Sequence, residues 1–199
     1  MSDHPSIMRP SRLEAFSDGV IAIIITIMVL ELKVPHSADF AALAGLGAVF
    51  LCYVLSFIYV GIYWNNHHHM MHTVHRVNGA ILWANLHLLF WLSLVPFFTA
   101  WMGENHFAPV PTAAYGGVLL MAGTAYNILA KMIIKDQGEV SPLRSAIGKD
   151  CKGKTSLILY AVSIPLAFVH CALSIAIYMI VAMMWFVPGR RIEKYLSVI

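Results

Sequence analysis

Charge is what this chain has least of. Charged residues make up 12% of its 199 positions and apolar residues 59%, whereas soluble domains carry roughly 25% charged side chains. With a mean hydropathy of +0.73, that scarcity excludes a soluble globule. Cysteine is scarce as well: Cys52, Cys151 and Cys171 lack metal-ligand spacing and two of them lie inside apolar runs, so no disulfide framework is expected. There is no T-V-G-Y-G-like stretch, which excludes a re-entrant filter loop of stacked carbonyl rings. Phosphate-cradling glycine loops, soluble catalytic constellations and nucleic-acid patches are also missing, so neither an enzyme nor a nucleic-acid or soluble-substrate binder is indicated. Residues 1–11 do not resemble a cleavable leader, and the first apolar run is expected to remain in the protein.

What the chain has in quantity is long apolar runs. They cover residues 13–32, 41–64, 78–101, 112–134 and 157–187, and a helix needs about 20 such residues to cross a hydrocarbon core. The last run would extend about 46 Å as one helix, too long for one comfortably tilted span. A break between Pro165 and His170 would divide it into helices over 155–168 and 171–187. Charge supports that division, because with six spans every Lys and Arg except Lys33 falls on one side, and with five the basic tail would not. The expectation is an all-α integral membrane protein, a single six-helix domain over 1–199 without internal repeat. It sits in the cell inner membrane with both termini cytoplasmic. The basic linker over 135–154 and the tail with Arg190, Arg191 and Lys194 are explained by orientation and anionic membrane lipid.

The first run, "RLEAFSDGVIAIIITIMVL" at residues 12–30, carries an acid at its sixth helical step. On a helical wheel Arg12, Phe16, Gly19, Ile23, Thr26, Ile27 and Leu30 share one face, while Ser17 and Asp18 point to the sides or back. An ionisable group at membrane depth is costly against lipid, so Asp18 is expected to face neighbouring helices. Ile24 is expected to face lipid. The hydroxyl of Thr26 has two readings, a ligand for a partly dehydrated ion or a bond back to the carbonyl of Ala22.

The same stretch resembles the R-x-x-x-F-S-D signature that opens the transmembrane protein 175 family of potassium channels. "YWNNHH" at 63–68 and "NLHLLFWLSLVPFFT" at 85–99 are similar to that family's second and third helices. His69, which extends the usual histidine pair to three, departs from the pattern. The resemblance implies a potassium-permeable cation channel built as a homotetramer, with potassium as the permeant species and no cofactor. It implies a structural polar network of Arg12, Ser17, Asp18, Trp64, a histidine of the His67 and His68 pair, and Asn85. It further implies a pore lined by the first helix, with Ile23, Ile27 and Leu30 as a gate of apolar rings, and Thr26 is the candidate for selectivity.

Two rival readings are set against this one. "HHHMMHTVH" supplies His67, His68, His69, His72 and His75, and His68 and His72 have the i, i+4 spacing at which two imidazoles can share a metal. A membrane metalloenzyme needs several such clusters, and no carboxylate cluster completes a site, so no functional metal site is expected; adventitious divalent-metal binding and a proton-sensitive network stay open, and a plain hydrogen-bonded junction is favoured over both. A secondary transporter of a cation or small solute is the alternative function. It would show paired repeats and midmembrane charges, and the only sign of it is the proline at 165.

Overall fold

The computed structural model describes residues 8–35, 37–138, 141, 143–144 and 150–186. Part of the basic linker, and the whole tail with Arg190, Arg191 and Lys194, lie outside the described residues. Among the described residues the only β pairing is an isolated bridge between Met8 and Val77. Everything else that is regular is helical, because in hydrocarbon each backbone N–H and C=O must find its partner inside its own segment.

Helix α1 spans Pro10–Met28 and starts on proline, whose missing N–H costs nothing in the first turn. It tightens into a 3-10 turn at Val29–Glu31. A short α2, Phe40–Ala44, is capped by the Asp39 carboxylate, which accepts from the Ala42 N–H at 2.7 Å. That bond and the Ser37 hydroxyl hold the Asp39 pKa below its ordinary value. Helix α3, Gly47–Met71, then runs through the histidines and is longer than the apolar run alone indicates. Helices α4, Gly79–Ser93, and α5, Val95–Glu104, make one passage with a break at Leu94. The break follows from Pro96, which lacks an N–H and whose ring crowds the carbonyl four residues earlier. Asn78 caps α4 by accepting from the Ile81 N–H at 2.9 Å. Helix α6, Pro109–Gln137, ends at Gly138, whose φ of 72° is the left-handed stop that glycine adopts freely.

Helices α7, Cys151–Val169, and α8, Cys171–Phe186, form a hairpin around His170, which is extended. The break thus falls at His170 and not at Pro165, which α7 accommodates internally. Ser174 donates to the Ser163 carbonyl at 2.7 Å and Trp185 Nε1 to Ser156 Oγ at 2.8 Å, closing the hairpin along its length. Among the described residues five passages are long and apolar enough to cross a membrane, and α8 is a shorter apolar helix beside them.

The ends alternate. At one end Arg76 pairs with Asp136 at 3.0 Å and Asn78 donates to the same carboxylate at 2.7 Å. At the other the Lys33 ammonium meets the Glu104 carboxylate, which raises the Lys33 pKa. Between them lies a buried tyrosine cluster that sequence reasoning did not foresee. Tyr115 bonds to Ser56 at 2.9 Å, Thr99 donates to Ser56 at 2.6 Å, and Tyr178 donates to the Thr112 carbonyl at 2.9 Å. Apolar packing against lipid-like surroundings drives little association, so such interhelical hydrogen bonds and close contacts are what specify the arrangement of α3, α5, α6 and α8.

Candidate functional site

Helix α1 divides into two faces. Leu13, Ser17, Ile21, Ile24 and Met28 are buried at i, i+4, i+8, i+11 and i+15, the spacing of one helical stripe. This stripe packs on α3, α4 and α5. Ile24 is only 2% exposed, which corrects the expectation that it faces lipid: the 100° step from Ile23 carries it onto the packed stripe. The opposite face is left uncovered by the described residues. Arg12, Phe16, Gly19, Ile23, Thr26, Ile27 and Leu30 are all exposed, Ile23 by 60% and Leu30 by 78%. The structure therefore puts the three proposed gate residues and the selectivity candidate on one open stripe. Thr26 Oγ1 donates to the Ile23 carbonyl at 2.9 Å, not to that of Ala22. Its lone pairs are left facing outward.

The packed face carries the polar anchors. Ser17 Oγ donates to the Leu13 carbonyl at 2.8 Å and accepts from Asn85 Nδ2 at 2.9 Å. Asn85 Oδ1 lies 2.7 Å from His67 Nε2. Because the Asn85 amide gives its nitrogen to Ser17, its oxygen must accept, so His67 carries its proton on Nε2. All three residues are fully buried. Next to this chain, Trp64 Nε1 donates to Asp18 Oδ1 at 3.0 Å across α3 and α1. Asp18 is half-buried against a neighbouring helix, as its position on the wheel requires.

Two expected members stand differently. Arg12 is exposed, and among the described residues no bond of its guanidinium joins the network. His68 belongs instead to a second group, with Nδ1 2.9 Å from Glu14 Oε1 and Nε2 3.1 Å from His72 Nε2. Trp64 stacks on it at 5.9 Å between ring centroids and so touches both groups. Glu14 and His72 were missed as members of the site; the i, i+4 spacing to His68 pointed to His72, and nothing in the sequence pointed to Glu14.

Known proteins resemble this arrangement. The family described as "Endosomal/lysosomal potassium channel TMEM175" matches residues 12–96, the segment holding both faces of α1 and their partners. A potassium channel of Chryseobacterium sp. is 55% identical over 190 residues, 96% of this chain and 99% of that protein. The crystal structure of a lysosomal potassium-selective channel TMEM175 homolog from Chamaesiphon minutus superposes with a TM-score of 0.80 at 32% identity, covering 90% of this chain and 97% of that one. The human endosomal/lysosomal proton channel TMEM175 is 38% identical over 82 residues, 35% of this chain but 16% of the human protein.

Proposed function

Because the chain belongs to the TMEM175 family and is on that ground a potassium channel rather than an enzyme, we propose that four copies converge their α1 helices on one axis to form the pore. The observation that carries this is the open stripe of α1. A face turned to lipid has no use for Thr26 among its aliphatic neighbours or Arg12 at its end, and a face turned to its own chain would be covered. In the tetramer Ile23, Ile27 and Leu30 become stacked apolar rings. A cation passing them sheds water without receiving protein oxygen in return, so a narrow ring shuts by dewetting.

Thr26 supplies what the rings lack. Its proton is committed to the Ile23 carbonyl, so its oxygen presents lone pairs to the axis, one from each copy. Potassium is the permeant ion, and the other exposed apolar faces meet lipid. The basic residues orient the chain in the inner membrane with both termini cytoplasmic.

The test is reconstitution of the purified protein in liposomes, with potassium on one side and sodium on the other. The expected result is an electrogenic current reversing on the potassium-favouring side, with Thr26→Val lowering that preference. Saturable flux without current would return the transporter reading. For orientation, the exposed Cys151, kept as the one cysteine after replacement of Cys52 and Cys171, should resist an impermeant thiol reagent applied to intact cells and react once the cells are opened. Ready labelling from outside would invert the topology.

A further inference from the structure

Glu14, His68 and His72 stand apart from the open stripe of α1. They belong to no bond that the Ser17, Asn85 and His67 chain requires, and their surroundings are not those of a simple salt bridge. His68 Nδ1 is closed off from solvent and makes no aligned hydrogen bond, although Glu14 Oε1 lies 2.9 Å away. His72 Nε2 is 3.7 Å from the same carboxylate oxygen and 3.1 Å from His68 Nε2. Two imidazole nitrogens facing each other at that distance need something positive between them, a proton or a metal.

We propose that Glu14, His68 and His72 form a binding site for a divalent transition cation of the zinc type, bridging α1 and α3. One ligand atom from each residue can be chosen so that all three lie within 4.8 Å of one another. Tetrahedral ligands about 2.0–2.1 Å from a zinc ion stand about 3.3 Å apart; with His68 offering Nε2, His72 Nε2 stands 3.1 Å from it and 3.7 Å from Glu14 Oε1, on either side of that value. Two imidazoles with one carboxylate select zinc, cobalt, nickel or copper over magnesium or calcium, which prefer all-oxygen sites. Three protein ligands leave a position for water, and solvent reaches the site because His72 is exposed. The ring of Trp64 stacked on His68 fixes that imidazole's plane, as outer contacts do around metal ligands. The i, i+4 pair of histidines is on α3 and its C-cap, and the completing acid comes from α1, so occupancy would staple the two helices.

The experiment uses the full-length protein, stripped with chelator and held in lipid nanodiscs, titrated with zinc by calorimetry and with cobalt by visible absorption. Wild type should bind one zinc per chain and show the intense absorption of low-coordinate cobalt. Loss of an outer-sphere partner weakens metal sites by about 10- to 100-fold, and loss of a ligand should do no less. His72→Ala is therefore expected to weaken zinc binding at least about tenfold. Glu14→Gln should weaken it too, and His72→Cys, which offers a thiolate, should restore it. His75→Ala, in the same run but outside the cluster, should bind as wild type does. His72 is exposed, so its variants test the site even if His68→Ala disturbs folding beneath Trp64. Wild-type affinity in His72→Ala, or an equal loss in His75→Ala, would overturn the proposal.

Discussion

Replacing Asn85 by leucine tests how α1 is held. Leucine is close to asparagine in size, so the change removes hydrogen bonding without opening a large cavity. It leaves the His67 Nε2–H buried with no acceptor and takes from Ser17 Oγ the N–H it accepts. A buried orphaned donor costs about 1–3 kcal/mol and a lost net bond about 0.5–1.5 kcal/mol. Interhelical bonds in membranes average about 0.6 kcal/mol because the unfolded chain also finds partners in the bilayer, which pulls the sum toward its lower end. The expected loss is about 2 kcal/mol, or about 30-fold in the folded-to-unfolded ratio. Ser17→Ala should cost less, since it frees only one Asn85 N–H and leaves the contact to His67 intact. The assay is unfolding of the purified chain in mixed micelles of increasing sodium dodecyl sulfate, followed by tryptophan fluorescence. Asn85→Leu within about 0.5 kcal/mol of wild type, or Ser17→Ala more damaging than Asn85→Leu, would refute the bonded chain as the anchor of α1.

Gly116 and Gly117 form an internal comparison on α6. A Cβ at Gly116 would run into the Tyr178 hydroxyl and stand 3.2 Å from Ser163 Oγ, whereas one at Gly117 would meet nothing. Gly116→Ala should lower stability by about 1–3 kcal/mol and Gly117→Ala should not, as read from melting in detergent; equal melting points would contradict the packing of α6 on α8. Asp18→Asn weakens the acceptor for Trp64 Nε1 and should reduce the yield of oligomer on size exclusion more than it changes ion preference. Normal assembly with a large change in preference would move Asp18 to the pore. Ile23→Asn should give larger liposome flux than wild type, because it introduces an amide into an apolar ring. The control is Ile158→Asn on the exposed side of α7, since Ile24 is in the packed core and its replacement would report stability. Unchanged flux in correctly assembled Ile23→Asn would take α1 out of the pore.

Which of this was legible in the sequence depended on whether a period or a partner was needed. The two faces of α1 follow from the 3.6-residue repeat alone, so the stripe from Arg12 to Leu30 was readable before any coordinates. The single displaced residue, Ile24, was misplaced against that wheel, which sets it with Leu13, Ser17, Ile21 and Met28 on the packed face. Partners across helices are different, because a wheel gives each helix a face without a register against its neighbour. That a histidine of the His67 and His68 pair, Asn85, Trp64, Ser17 and Asp18 share one network came from the resemblance to a known family; that His67 meets Asn85 and Trp64 meets Asp18 is seen only in the structure. Glu14, outside that resemblance, was invisible although it lies near His68 in space. The break at Leu94 and the tyrosine cluster were hidden for a related reason. An apolar run looks the same to a hydropathy count whether Pro96 starts a new helix within it or Tyr115 spends its hydroxyl on Ser56.

The distribution of anchors along α1 has a mechanical consequence. Contacts between polar side chains of α1 and α3 or α4 leave from Glu14, Ser17 and Asp18, within about one turn near its start. From Gly19 to Leu30 the described residues make no side-chain hydrogen bond to another helix; Ile21, Ile24 and Met28 hold by apolar contact alone. Beyond it stands only the solvent-exposed pair of Lys33 with Glu104, a type that contributes little to stability. Apolar contact between helices exchanges for apolar contact with lipid at little cost, whereas a buried hydrogen bond has no such substitute. The end bearing Ser17 is therefore the fixed end of α1, and the length bearing Ile23, Thr26, Ile27 and Leu30 is the part that can shift without breaking a bond. A pore built on these four residues has its immobile support and its adjustable rings on the same helix, separated by Gly19.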